Sequence, residues 1–421
     1  VRQRKPFRGP AALCALLCGG IFAWIGIALF PGGPVRAAAT RPSLTGEHLI
    51  YASPVEMLFS RDGKRLYVLC QGSDEVRVLD AATYQPIRKI AVGHVPRGFS
   101  FSPDGHRLFV ANTWDDTISV IDTQSLQVVA TWRANAEPSS VVESQNGKWL
   151  FTANRISNDI AVLDAQTGAE EQRLEAGRGA SYITPSPDGS RLYVTHVYAN
   201  PTRGDTAGGD RGVPHGEITV VDADRARIAE RIALPYIAHG FHIAFSRDGR
   251  LGVLAALHPK NLVPLAHLEH GGAFADTLLL FGADVGTPVE VPLDELERYA
   301  VRPFGVAITP DKSKLFVTCE GSEIVTVVDV PRMMRFVRAH PGPHAQDLAA
   351  SANYVITRIR VGHDPRGVAF TPDGTKLLVA NRLDDTISVI EVRTNRVAAT
   401  IQLETPAKIS VLRHGEQTFY T

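Results

Sequence analysis

"VGHVPRGFSFSPDGHRLFVANTWDDTISVI" (residues 92–121) returns almost unchanged as "VGHDPRGVAFTPDGTKLLVANRLDDTISVI" (residues 361–390), 269 positions later. Between and around the two copies the same spelling recurs in weaker form. Its tight turn carries an acid or amide at Asp62, Asp104, Asn146, Asp188, Asp248, Asp311 and Asp373, spaced by 42, 42, 42, 60, 63 and 62 residues. The chain is therefore seven units of basic period 42, three of them enlarged by about twenty residues. A period near forty marks a closed or stacked repeat architecture rather than separate domains.

Each unit reads as four short strands. In the second, "GFSFS" passes through "PDGH" into "RLFVAN", "TWDD" turns into "TISVID", and "LQVVATW" closes the unit. Asp-Gly and Asn/Asp clusters supply the turn chemistry. The second strand is apolar on both faces (Leu108, Phe109, Val110, Ala111; Leu377, Leu378, Val379, Ala380). A sheet open to water on one side would not tolerate that, whereas a blade sandwiched between two blades requires it. The expected fold is all-β: a single seven-bladed β-propeller of four-stranded antiparallel blades over residues 51–405.

Composition limits the partners. Lys plus Arg and Asp plus Glu number 44 each, and basic residues are dispersed beyond the first eight positions, which excludes the footprint of a nucleic-acid binder. That basic start runs into the uncharged, apolar "AALCALLCGGIFAWIGIALF" (11–30) and then into small residues at Ala37 and Ala39. Residues 1–39 are expected to be a signal peptide or membrane anchor, followed by a linker over 40–50, so that the protein is exported to the periplasm or the exterior and meets the membrane only through this segment. Beyond the export segment only Cys70 and Cys319 remain, in equivalent positions of units one and six, too far apart around a ring of seven to bridge. No C-x-x-C-H attachment motif for c-type haem occurs.

The units resemble YVTN-type β-propeller repeats, whose "SPDG.RLYVAN…TVSVID" pattern is matched by "SPDGSRLYVTH…EITVVD" (186–222) and "TPDKSKLFVTCEGSEIVTVVD" (309–329). The resemblance covers residues 51–403 and implies the fold; similar propellers serve as surface proteins, as lactonases and as the haem d domain of nitrite reductases, so it does not fix a function. Trp114-Asp115 falls in the wrong turn for a WD-repeat signature. The tail over 406–421 contains "RHGEQTFYT" (413–421), which resembles the first residues of a di-haem cytochrome c peroxidase-type domain and implies a redox setting with a c-type cytochrome or another redox protein as partner.

In a four-stranded blade the connection into the next blade and the loop between strands two and three open on one face, the mouth. "GHVPRG" and "GHDPRG" put His94, Arg97, His363 and Arg366 there. Trp114, Arg178, His196, His239, His242 and Arg302 fall on the same side by this register, which makes these ten the candidate ligand- or partner-binding set. The recurring Pro at the blade entry, the Asn column (Asn112, Asn154, Asn381) and the Asp115-Asp116 and Asp384-Asp385 pairs are explained by turn geometry alone. Nine of the fourteen His map to the mouth, and His239, His242, His267 and His270 are candidate ligands for a transition metal or non-covalent haem. Units four and five each carry sixteen extra mouth-side residues, roofing it with 199–216 and 258–275; unit six places its insertion on the opposite face.

With no nucleophile elbow, phosphate loop or compact triad in the sequence, the reading is an exported, non-catalytic, monomeric binding or docking module associated with electron transfer. A metal- or haem-binding redox subunit and a lactonase-like hydrolase acting at the mouth remain the alternatives.

Overall fold

The computed structural model describes residues 51–134, 136–200, 215–235, 237–259, 274–342, 344–345, 347–403 and 409–420. They form seven four-stranded sheets, each a simple up-and-down meander in chain order. Blades one to seven span 54–91, 96–133, 138–175, 180–235, 239–292, 303–360 and 365–402. First strands of successive blades touch in order around the ring, and that of blade seven meets that of blade one. This is the all-β seven-bladed propeller that the repeat spacing leads one to expect.

The double-faced second strands explain why the ring holds. Along Arg65–Cys70, Leu66, Val68 and Cys70 pack toward blade seven, while Tyr67 and Leu69 pack toward blade two. The same division recurs at every seam, so the molecule has seven cores lying between blades rather than one in the middle. Fourth strands such as Glu170–Glu175 are mostly exposed at the rim. Both cysteines are free and buried within their blades, and burial pushes each thiol up to about 12.

Hydrogen bonds sew the seams on both faces. On the mouth side, a left-handed residue at the end of the loop between strands two and three reaches into the next blade. Asp74 accepts from the Val95 N–H (2.8 Å), Asp116 from Glu137 (2.8 Å) and Asn158 from Gly179 (2.7 Å). Asp385 accepts from the Ser53 N–H at 2.8 Å, which closes the ring with the same bond across 332 residues of chain. On the opposite face, Arg65 and Arg107 donate to Thr123 O (2.7 Å) and Ala165 O (2.6 Å) of the following blade.

Two α-helices complete the described fold. The insertion of unit six forms α1 (Val330–Ala339), capped by Asp329, whose carboxylate accepts from the Arg332 N–H. Its Val330, Met333 and Phe336 extend the core between blades five and six. Helix α2 (Val411–Tyr420) lies over the seam of blades seven and one. There Arg413, 3% exposed, donates to Asp385 Oδ1 (2.8 Å) and Ser53 Oγ (2.9 Å), and its guanidinium covers the Tyr51 ring at 4.3 Å. Among the described residues no helix is long and apolar enough to cross a membrane.

Candidate functional site

The start of each first strand, the end of the second and the start of the third share one end of the blade: Pro96 pairs with Asn112, and Asn112 with Thr117. The mouth is thus the face deduced from sequence, and hydrogen bonds tie down its loops in blades two and seven. His94 Nδ1 lies 2.9 Å from Asp115 Oδ1, while the His94 N–H donates to the other carboxylate oxygen at 2.8 Å. His363 repeats this with Asp384 (2.8 Å for both contacts), and its Nε2 is 3.3 Å from Glu323 of blade six. The Asp115 carboxylate pushes the His94 imidazole up from its ordinary range.

The ten candidates separate into three groups. His94, Trp114 and Arg178 stand exposed on the mouth, with Arg302 and His363 partly so; Arg302 pairs with Glu320 at 3.2 Å. His196 is turned inward, a correction to its expected place on the mouth surface: it is 3% exposed, with Nε2 3.0 Å from Thr219 Oγ1, and burial pulls it down to about 4. It fills the slot that Asn112 and Asn381 fill elsewhere. Arg97, Arg366 and His242 lie deeper, at the central channel, and His239 packs against the Phe241 and Phe274 rings. The inward shift has a local cause. Register breaks between Pro96 and Gly98 and between Pro365 and Val368 interrupt the alternation that a regular strand would give.

Around Arg366 an ion network spans blades six and seven. Its Nε is 3.2 Å from both Glu320 Oε1 and Asp364 Oδ1, Asp364 also pairs with Arg382, and the Arg366 guanidinium sits 5.2 Å from the Phe304 ring. Phe304 in turn touches Tyr182 and His242, whose rings are 4.2 Å apart.

The sequence contained a further column that points to these groups. Six residues before each turn acid stand Glu56, Gly98, Ser140, Tyr182, His242, Gly305 and Gly367. Gly98 and Gly367 are there because the neighbouring first strand comes too close: a Cβ would meet Ser139 O at 2.6 Å and Val55 O at 2.5 Å. The polar members reach across the space the glycines leave, bringing His242 Nε2 within 3.8 Å of Glu56 Oε1. Burial pushes Glu56 up to about 8 and His242 down to about 4, so both are neutral at pH 7.

Below this pair lies a cavity of about 480 Å³. Arg61, Pro103, Gln145 and Gly189, all in the turns between strands one and two, form its rim, so it opens on the face opposite the mouth. Among the described residues no three His, Cys, Asp or Glu side chains are grouped as metal ligands; the candidates His267 and His270, like most of the two long mouth loops, lie outside the described residues.

A third feature runs along the mouth. Ten residues after the turn acid, three successive blades carry Trp114, Ile156 and Tyr198, which are 70%, 64% and 44% exposed. Arg155 braces Tyr198 by donating to its hydroxyl at 3.1 Å. The equivalent Leu383 of blade seven is only 1% exposed, because α2 lies there and Gln417 donates to its carbonyl.

Comparison with known proteins agrees with the geometry. A YNCE-like beta-propeller family model matches residues 36–201. The hydrazine synthase subunit beta of Kuenenia stuttgartiensis is 26% identical over 217 residues, half of this chain, and the match spans about half the length of that relative (53%). The solved Kuenenia stuttgartiensis hydrazine synthase superposes with a TM-score of 0.72 at 24% identity, over 86% of this chain and 99% of that one, a likeness of fold. Seven four-stranded blades in one ring and the recurring turn-strand pattern make this chain a seven-bladed β-propeller, similar over residues 36–201 to YNCE-like beta-propellers.

Proposed function

We propose that this chain is an exported, non-catalytic docking propeller that serves as one subunit of a larger redox assembly and holds its protein partner by the mouth. The observation that carries the reading is the arc of Trp114, Ile156 and Tyr198. Large apolar side chains on loops tied down by hydrogen bonds are what protein interfaces use as anchors, since little ordering entropy remains to be lost. His94 and Arg178 supply a polar border to that arc. Similarity to a protein named as a subunit of a synthase supports a place within an assembly. The export segment over residues 1–39, and the tail over 406–421 with its likeness to a cytochrome domain, favour a c-type cytochrome or similar redox protein as the partner.

The test begins with native purification from the source cells and identification of any stoichiometric partner by mass spectrometry and optical spectrum. Binding of that partner is then measured with the Trp114→Ala, Ile156→Asp double variant. Anchors of this type are worth about 2–4 kcal/mol each, so affinity should fall at least about thirtyfold with an unchanged unfolding midpoint. Parental affinity in the double variant would remove the mouth arc from the interface, and a chain that purifies alone under native conditions would overturn the subunit reading.

A further inference from the structure

We propose that the central channel binds a small protonated amine, entering from the face opposite the mouth and seated on Glu56, with His242 and Ser100 as additional acceptors. The site is independent of the docking surface and lies on the other side of the Arg366 ion network.

The volume, about 480 Å³, lies within the range of small-molecule pockets. Its walls are mostly apolar, from Met57, Phe99, Val141, Ile183 and Ile243 among others. Three polar groups in the lining are poorly satisfied. His242 Nε2 and Ser100 Oγ are buried without a hydrogen-bond partner, and among the described residues Glu56 has the Phe99 backbone N–H as a donor and the neutral His242 within ion-pair distance, but no cation. An ammonium group supplies three N–H donors to these acceptors, in a cavity that Tyr182 and Phe99 also line.

Charge favours a cation over an anion. Two carboxyls, Glu56 and Glu143, line the cavity, against one guanidinium, Arg61, which stands exposed at the rim. Glu143 is already paired with Arg107 at 2.8 Å. Arg366 is held by Glu320 and Asp364, and Arg97 does not line the cavity; the charged groups it feels include Glu137 and Arg155 of the mouth loops. A buried carboxyl without a cation keeps its proton, so seating an ammonium expels that proton to solvent: one positive charge enters and one leaves. The titratable groups near Glu56 are His242, at 3.8 Å, and Tyr182, which also feels Arg366, Glu320 and Arg97. His242 stays neutral and Tyr182 protonated from pH 6 to 8, which leaves Glu56, and Glu143 on the wall, as the carboxyls that titrate.

Calorimetry of the full chain with propylammonium chloride, and with sodium acetate at equal ionic strength, decides the matter. One propylammonium should bind per chain, releasing close to one proton as judged from buffers of different ionisation enthalpy. Its affinity should rise about tenfold from pH 6.5 to 7.5. Glu56→Gln, an isostere of the protonated carboxyl, should weaken binding at least about thirtyfold and abolish the proton release, whereas Glu143→Gln should retain the release. Proton release in the parent protein is an independent readout should Glu56→Gln fold poorly. Binding of acetate in preference to propylammonium, equal binding of propylammonium by Glu56→Gln, or no binding of either probe at tens of millimolar would each overturn the proposal.

Discussion

Replacing Arg413 with alanine should loosen the ring at its one long-range seam. The guanidinium makes hydrogen bonds of 2.8 Å to Asp385, 2.9 Å to Ser53 Oγ and 3.2 Å to Arg382 O, and it covers the Tyr51 ring. Asp385 is 1% exposed and also accepts from the backbone at Ser53 and Ala52, so removing Arg413 leaves a buried carboxylate held by backbone donors alone. Breaking a buried pair from one side costs about 3–5 kcal/mol. Burial already raises the Asp385 carboxyl, which lets it take up a proton once its cation is gone and keeps the cost near the lower end, about 3 kcal/mol. Asp385→Asn preserves an acceptor for Ser53 while deleting the charge, so in that background Arg413→Ala should cost about 2 kcal/mol less. Among the described residues no arginine pairs with Asp116 at the seam between blades two and three, and Asp116→Ala there should cost only about 1 kcal/mol, one hydrogen bond. Urea unfolding of the four proteins of the cycle measures the coupling. A cost below about 1 kcal/mol for Arg413→Ala, or single costs that add within about 0.5 kcal/mol, would refute the view that α2 holds the ring shut.

Three other outcomes follow from features of the same ring. Gly367→Ala places a Cβ 2.5 Å from Val55 O and 2.8 Å from Glu56 Cα, both backbone atoms, and should cost about 3 kcal/mol by urea unfolding. Gly415→Ala in α2 meets nothing within 4 Å and should gain about 0.5–1 kcal/mol in the same assay. Glu56, raised from 4.5 to about 8 in the fold, contributes stability that is full below pH 4.5 and is lost as pH rises toward 8; His242, lowered from 6.5 to about 4, has the opposite slope, losing stability as pH falls from 6.5 through 4. Glu56→Gln should therefore flatten the fall in stability between pH 6 and 8, by up to about 2 kcal/mol, and leave the acid limb in place. Cys70 and Cys319, buried and pushed up to about 12, should resist a thiol reagent in the native protein and react together on unfolding, as followed by mass spectrometry.

Blade number, strand order and the face carrying the mouth were legible in the sequence because each rests on a repeating local rule: a turn acid every 42 or about 62 residues, and second strands apolar on both sides. What escaped depends on single departures from that rule. One register break in the strand that starts at Pro365 is enough to carry Arg366 from the mouth surface into the channel, where it meets Glu320 and Asp364. His196 falls on the mouth side by register, yet its position is the one whose occupants Asn112 and Asn381 are sealed inside the blade. The channel ring of Glu56, Ser140, Tyr182 and His242 was written in the column six before the turn acid, but a column holding three glycines draws attention only once it is known that the glycines mark where backbones touch. Asp116 and Asp385 were rightly seen as turn residues, while their bond to the following blade needed the third dimension.

Because Asp385 grips Ser53 as Asp74 grips Val95 and Asp116 grips Glu137, and because every seam is sealed by its own apolar cluster, no blade is privileged as the first. Many rings secure their ends by weaving a strand from each into a shared blade, which ties the order of synthesis to the finished object. Here each blade is cut from one continuous stretch of chain. A circularly permuted gene that opens in the connection before blade four, and runs through blade seven and a linker into blade one, would encode the same circle of contacts. For this molecule the order of the blades along the chain is a matter of genealogy, and the trace it leaves on the ring is α2, whose Arg413 clasps the seam of blades seven and one.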